Sequence, residues 1–226
     1  MEYEEVIARL KAQENPVNVA GMARFGIRSK NTLGISIYDL RKIAHEIKKD
    51  HELAKYLWDS GVHEARILAS FIDEPEKVTE AQLDSWVKDF DSWDIVDQVS
   101  ELIAKTPFVI KKIHEWSERD EEFVKRTAFS LIAEVTWHDK KLADADIEQF
   151  FPVIKNASMD ERNFVKKAVN WALRNIGKRN VALNKRAVAV AKEIQNIDSK
   201  SARWIAADAL RELTGEAVQK RLAAQK

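Results

Sequence analysis

Apolar residues along most of this chain recur at i, i+3, i+4 and i+7, as in Val124, Ala128, Leu131, Ile132 and Val135. That period commits a segment to an amphipathic helix, and alternating strand patterns are absent. Only four prolines and six glycines punctuate 226 residues. Breaks are expected near Asn15-Pro16, Gly26 to Gly34, Asp73–Pro75, Thr106-Pro107, Phe151-Pro152 and Gly177. Between them the pattern predicts roughly ten to twelve helices, most of them short. The chain is therefore read as all-α.

Several helices look alike. "EARILASFI" (64–72), "VKRTAFSLI" (124–132), "VKKAVNWAL" (165–173) and "ARWIAADAL" (202–210) each carry a charged or large residue at the third position, then a small apolar face. A further cognate helix begins at Trp93, which splits the interval from Arg66 to Arg126 into two units of about 30. The later intervals, Arg126 to Lys167 and Lys167 to Trp204, are 41 and 37 residues. Units of this length with two helices each predict a right-handed superhelical solenoid of HEAT- or armadillo-like repeats, with residues 1–226 as one domain. Stacking would line up the third positions: Arg66, the Trp93–Asp97 region, Arg126, Lys167 and Trp204. A trough of cations with aromatics interleaved suits a phosphate backbone and the sugars and bases beside it.

Composition narrows the chemistry. Zero cysteines exclude disulfides, thiolate metal sites and cysteine nucleophiles. The five histidines show no metal-ligand spacing, and "HE" at 63–64 lacks the second histidine of H-E-x-x-H. No glycine-rich phosphate loop occurs, and the Ser and Thr residues suggest no acyl-transfer triad. "WHDKK" (137–141) reads as a helix-ending loop. Apolar runs are too short to span a bilayer, and "MEYEEVIARLKAQ" resembles neither a secretory nor a mitochondrial leader, so a cytoplasmic location is expected. Net charge is zero, but residues 151–226 hold 16 Lys and Arg against 7 Asp and Glu, leaving 21 basic and 30 acidic groups in the first 150. A basic C-terminal third fits a polyanion held on one side, and equally fits helices solvated by lysine.

Within the stretch "DSWDIVDQV" (91–99), Trp93, Asp94 and Asp97 crowd two carboxylates and an indole into five positions at a helix start. Capping explains part of it: Asp91 or Ser92 as the cap, Asp94 in the positive first turn. Asp97 lies about a turn further in and needs another reason. It either pairs with a cation on the next repeat while Trp93 packs between helices, or it faces the trough with Trp93 beside it at i−4.

"MARF" (22–25), "LGIS" (33–36), "LRKIA" (40–44), "LWDS" (57–60), "SWDIVDQV" (92–99), "VKRTA" (124–128) and "VKKAVNWALR" (165–174) occur in an order that resembles the AlkD-like DNA alkylation repair glycosylases, HEAT-like repeat enzymes. The resemblance spans nearly the whole chain; S-W-D-x-V-D followed by K-x-A-x-x-W-x-L-R is its specific part. It implies a monofunctional glycosylase, without lyase activity, that hydrolyses the N-glycosidic bond of cationic 3-methyl and 7-methyl purines in duplex DNA. It implies Asp97 as the catalytic carboxylate, Trp93 and Trp171 as the aromatic pair, and Arg126 as the neighbouring base. Arg174 would contact the DNA backbone, and "MARF" would approach the opposite face of the duplex, with Phe25 where a tyrosine is expected. Arg66 and Lys167 join these as DNA contacts through the trough. Eight positions after Arg126 the family carries a lysine; here Glu134 stands there, a charge reversal that would weaken binding. Such chemistry asks for no metal and no cofactor, and the partner is double-stranded DNA with alkylated bases, met by a monomer away from membranes. Two other readings remain: a HEAT-repeat module that binds branched or distorted DNA without excision, and a scaffold that binds protein along the same trough.

Overall fold

A computed structural model describes residues 1–28 and 30–224; position 29, within the Gly26–Gly34 break, and positions 225 and 226 lie outside the described residues. Among the described residues every regular element is helical. They form α1 (Tyr3–Lys11), α2 (Pro16–Arg24), α3 (Ile37–Ile47), α4 (His51–Asp59), α5 (His63–Ile72), α6 (Glu80–Trp86) and α7 (Trp93–Ile103). They continue as α8 (Val109–Ser117), α9 (Glu122–His138), α10 (Asp144–Glu148), α11 (Phe150–Ala157), α12 (Asn163–Gly177), α13 (Val181–Gln195), α14 (Lys200–Leu213) and α15 (Glu216–Ala223), with one 3-10 turn at Val87–Asp89. These are more than the ten to twelve expected, because short helices such as α2 and α10 carry too few turns to display a period. No described helix is long and apolar enough to cross a membrane.

Starts are written in cap chemistry. Asn15 accepts from the amides of Val17 and Asn18, with Pro16 at the first helical position; Ser36, Asp50, Thr79, Asn180 and Ser199 cap α3, α4, α6, α13 and α14 in the same way. One expected break is corrected: Phe151-Pro152 lies inside the first turn of α11, where a proline has no intrahelical amide bond to lose. The chain bends just before it, at Gln149. A second correction concerns Ser92. It holds the N-cap position of α7, but its hydroxyl makes no capping bond.

The chain divides into two compact units, Met1–Val109 and Ile110–Lys226. In the first, α5 packs against α3 and α4 on one side and α7 on the other. Polar links between successive layers fall at nearly constant sequence offset. The Leu33 amide donates to Glu64 (2.8 Å), the Trp58 indole to Asp89 (2.9 Å), and His63 Nε2 meets Asp94 Oδ2 (2.8 Å), each across 31 residues. In the second unit α12 packs against α9, α13 and α14. There one set of links has an offset of 38: Arg126 to the Phe164 carbonyl (2.8 Å), Lys155 to Glu193 (2.7 Å), Asn170 to Asp208 (2.7 Å), and Arg174 to Glu212. A second set has an offset of 42: the Phe164 amide to Glu122 (3.4 Å) and Asn175 to the Ala133 carbonyl (3.3 Å). A fixed offset is what stacked repeats require, since each residue meets the equivalent of its own neighbour one unit on.

The loop before α3 is pinned on two sides. The Asn15 amide donates to the Leu33 carbonyl (2.7 Å) and Asn18 Nδ2 to the Gly34 carbonyl (2.9 Å). From α5, the buried Glu64 carboxylate accepts from the amides of Leu33 (2.8 Å), Gly34 (2.6 Å) and Ile35 (3.3 Å). Gly34 has φ +79°, and a Cβ there would sit 2.4 Å from the Asn15 carbonyl oxygen. At the other end of α3, Lys48 closes the helix with φ 69° and ψ −153°, a region that essentially only glycine visits, at a cost of about 1–3 kcal/mol.

Beside this loop, His63 and Asp94 form a buried ion pair. Burial alone would lower the His63 pKa, but the Asp94 hydrogen bond and charge, with Glu64 and Asp91 nearby, outweigh it and hold the imidazole above its ordinary 6.5. Burial likewise opposes the Asp94 charge, and the His63 hydrogen bond and charge prevail, keeping that carboxyl below the usual range. A raised histidine stabilises the fold fully below pH 6.5 and loses that contribution as pH climbs through the folded value. The Asp94 contribution is lost only in acid.

Two stability measurements follow from these contacts. Gly34→Ala combines a left-handed backbone with a clash against a carbonyl and should lower unfolding free energy by at least about 3 kcal/mol in urea melts. His63→Ala leaves Asp94 buried and unpaired and should cost about 3–5 kcal/mol. It should also flatten the decline of melting temperature expected of the wild type between pH 6 and 9; an unchanged slope would assign that decline to other groups.

Candidate functional site

Trp93 opens α7 with its indole half-buried, and Nε1 donates to the Phe25 carbonyl at the end of α2 (3.0 Å). The indole thereby forms one wall of a cleft of about 550 Å³ at the N-terminal ends of α3, α5 and α7, closed on the far side by Met22 and Phe25 of the "MARF" segment. The rest of the lining is mainly apolar, with His63, Glu64 and Asp94 at its floor. Phe25 itself is 73% exposed.

Asp97 stands one turn beyond Trp93 on α7 and is half-buried, with its own polar interaction. Asp94, its neighbour in the crowded sequence, is taken up by the His63 pair. Asp94 and Asp97 of "DSWDIVDQV" therefore have separate duties: Asp94 joins α5 to α7, and Asp97 is left on the partly open side. Arg66 is engaged locally. It donates to the carbonyls of Trp58 (3.4 Å) and Asp89 (3.2 Å), pairs with the Asp89 carboxylate (3.2 Å), and lies 5.3 Å from the Trp58 ring centre. Trp58 in turn stacks on Trp86 at 4.1 Å, so the "LWDS" motif belongs to the core of the first unit.

The remaining candidates belong to the second unit. Arg126, on α9, is only 5% exposed and donates to the Phe164 carbonyl at the start of α12. Trp171 on α12 is half-buried, and Lys167, one turn earlier, is exposed. Arg174 bridges to Glu212 and Asp208 of α14, and Lys178 also meets Glu212 (2.9 Å). Burial opposes the Glu212 charge, yet these two cations hold its carboxyl below the ordinary range. Trp204 on α14 is exposed, with the Lys166 ammonium 5.0 Å from its ring centre. The expected charge reversal at Glu134 is muted: its side chain is buried and pairs with His138 one turn on (3.4 Å). "WHDKK" is a helix end, tied down by Arg179, which donates to the carbonyls of Thr136 (2.7 Å), Asp139 (2.8 Å) and Leu142 (2.7 Å).

Trp93 and Asp97 are thus brought together by α7, and Arg126, Lys167, Trp171 and Arg174 by the packed pair α9 and α12. The pair His63–Asp94 was not recognised as part of this site from sequence. The available signal was its spacing of 31, the same as the first repeat length.

Comparison with known proteins supplies the lineage. The uncharacterized proteins Lin0241 of Listeria innocua and Lmo0209 of Listeria monocytogenes are each 24% identical to this chain over 200 residues, covering 86% of it and 87% of the relative. A solved structure described as a new family of proteins related to the HEAT-like repeat DNA glycosylases, with affinity for branched DNA structures, superposes with a TM-score of 0.83 at 19% identity. It covers 98% of this chain and 96% of that one, so the fold is the HEAT-like one. Residues 6–213 match the family model described as DNA alkylation repair enzyme, and the chain belongs to that family.

Proposed function

We propose that this protein is a DNA glycosylase that removes positively charged alkylated purines from duplex DNA by hydrolysis, with residues 1–226 working as one HEAT-like repeat domain. The observation that carries the reading is the pairing on α7: an indole fixed by the Phe25 carbonyl at the mouth of an apolar cleft, and a partly open carboxylate one turn along.

The chemistry asks little of the protein. A purine methylated at N3 or N7 is already cationic, so the base can leave neutral and needs no general acid. As the C1′–N bond breaks, the bonding pair goes to the base and positive charge grows on the deoxyribose. The Asp97 carboxylate stabilises that charge and orients a water whose oxygen bonds C1′ and whose proton is released. An indole face, that of Trp93 in the first unit or of Trp171 in the second, attracts a cationic base by about 0.5–2 kcal/mol. Arg126 shapes the start of α12, and Lys167 supplies positive charge for the phosphates; Arg174 would have to exchange its bridges to Glu212 and Asp208 to do the same. Arg66, engaged with Trp58 and Asp89, would have to exchange those contacts to meet DNA.

A second reading is favoured by one comparison: the structural relative with affinity for branched DNA suggests binding without excision. A single assay separates the two. Wild-type protein incubated with methylated duplex should release 3-methyladenine or 7-methylguanine. Asp97→Asn should lower the rate about 100-fold or more, and Trp171→Ala about 10-fold. No release by wild type, together with tight binding to a four-way junction, would transfer the assignment to the second reading. Release undiminished in Asp97→Asn would remove Asp97 from its role.

A further inference from the structure

The three parallel helices α3, α5 and α7 have a second cleft at their C-terminal ends, of about 530 Å³. Its chemistry is the reverse of the first. Arg41, His45, Lys48, Lys49 and Lys105 line it around the Phe71 ring, and its one lining carboxylate, Glu101, already pairs with Arg41 (3.1 Å). The Arg41 guanidinium also lies 4.8 Å from the Phe71 ring centre.

Part of this charge has a local purpose. Carbonyls at helix C-termini attract cations, and Lys49 Nζ donates to those of Phe71 (2.9 Å) and Asp73 (2.6 Å) at the end of α5. The rest is not explained that way. Among the described residues Lys48 and Lys105 form no ion pair, and both are exposed on the cleft rim. Burial and the neighbouring Lys105 charge press the Lys49 ammonium below the ordinary lysine range, against the opposing pull of Asp73, Glu76 and Glu74, so Lys49 and Lys105 repel one another. Lys48 holds a backbone conformation that glycine would hold without strain.

We infer that this cleft binds phosphodiester groups of DNA at a site separate from Trp93 and Asp97. The inference rests on the reading of the protein as a DNA binder. Charge complementarity selects the ligand: clustered cations with one neutralised carboxylate accept a polyanion, and the exposed lysines would release its counterions. The spacing is suitable. Asp97 and Glu101 lie one turn apart along α7, so the cleft begins about 6 Å along the axis from Asp97, with Lys105 just past the helix end.

The test measures binding of the full chain to a linear duplex and to a four-way junction across a salt series. Lys48→Gly should raise the melting temperature, because it relieves the backbone, yet weaken DNA binding several-fold. Lys48→Gln combined with Lys105→Gln should weaken it about 10-fold and make the slope of log K against log salt shallower by nearly two. Loss on both DNAs supports a site on the same segment as the lesion; loss on the junction alone supports a site for a second arm. Affinity and slope equal to wild type on both DNAs would falsify the cleft assignment while leaving the DNA reading intact. A wild type that binds neither DNA overturns both.

Discussion

The first turn of α5 holds the first unit together. Two adjacent residues there, His63 and Glu64, are fully buried, and each reaches a different neighbour. Glu64 gathers three amides of the loop that leads into α3, and His63 takes the carboxylate at the start of α7. Burying charge is costly unless every lone pair and proton is met, so this turn tolerates few rearrangements. The N-terminal ends of α3, α5 and α7 are therefore fixed in one plane, and the cleft between them keeps its shape. Trp93 stands where it does because the residue after it is locked.

The second unit solves the same problem differently. Its layers are joined by partly exposed links at offset 38, among them Asn170 to Asp208 and Arg174 to Glu212, over a core of small side chains such as Ala168, Ala172 and Ala206. Gly177 allows the closest approach, since a Cβ there would stand 2.6 Å from a methyl of Leu213. Exposed ion pairs add little stability individually, which leaves apolar packing to do most of it.

Much of this was legible in the sequence. All five cognate helices form, as α5, α7, α9, α12 and α14, because each carries several turns of unbroken 3.6-residue period. The repeat lengths were readable too, as intervals of about 30 and then 37 to 41 against observed link offsets of 31 and 38. What escaped was partnership. "HE" at 63–64 was read only for metal spacing, whereas both side chains act on residues about 31 positions away. Arg66 matched the cation pattern of its cognates, but its contacts with Trp58 and Asp89 depend on packing that periodicity does not encode. Pro152 misled because proline stops a helix in its middle and is harmless in its first turn.

The anchor of Trp93 is a main-chain oxygen, and every amino acid at position 25 would provide one. The ring's orientation is consequently insulated from mutation at that site, while the outward-facing side chain there can change freely. A phenylalanine in place of the tyrosine expected of relatives is then a substitution evolution could make without disturbing the indole. Variation at this one spot can retune what the rim of the cleft touches, independently of how the aromatic wall behind it is held.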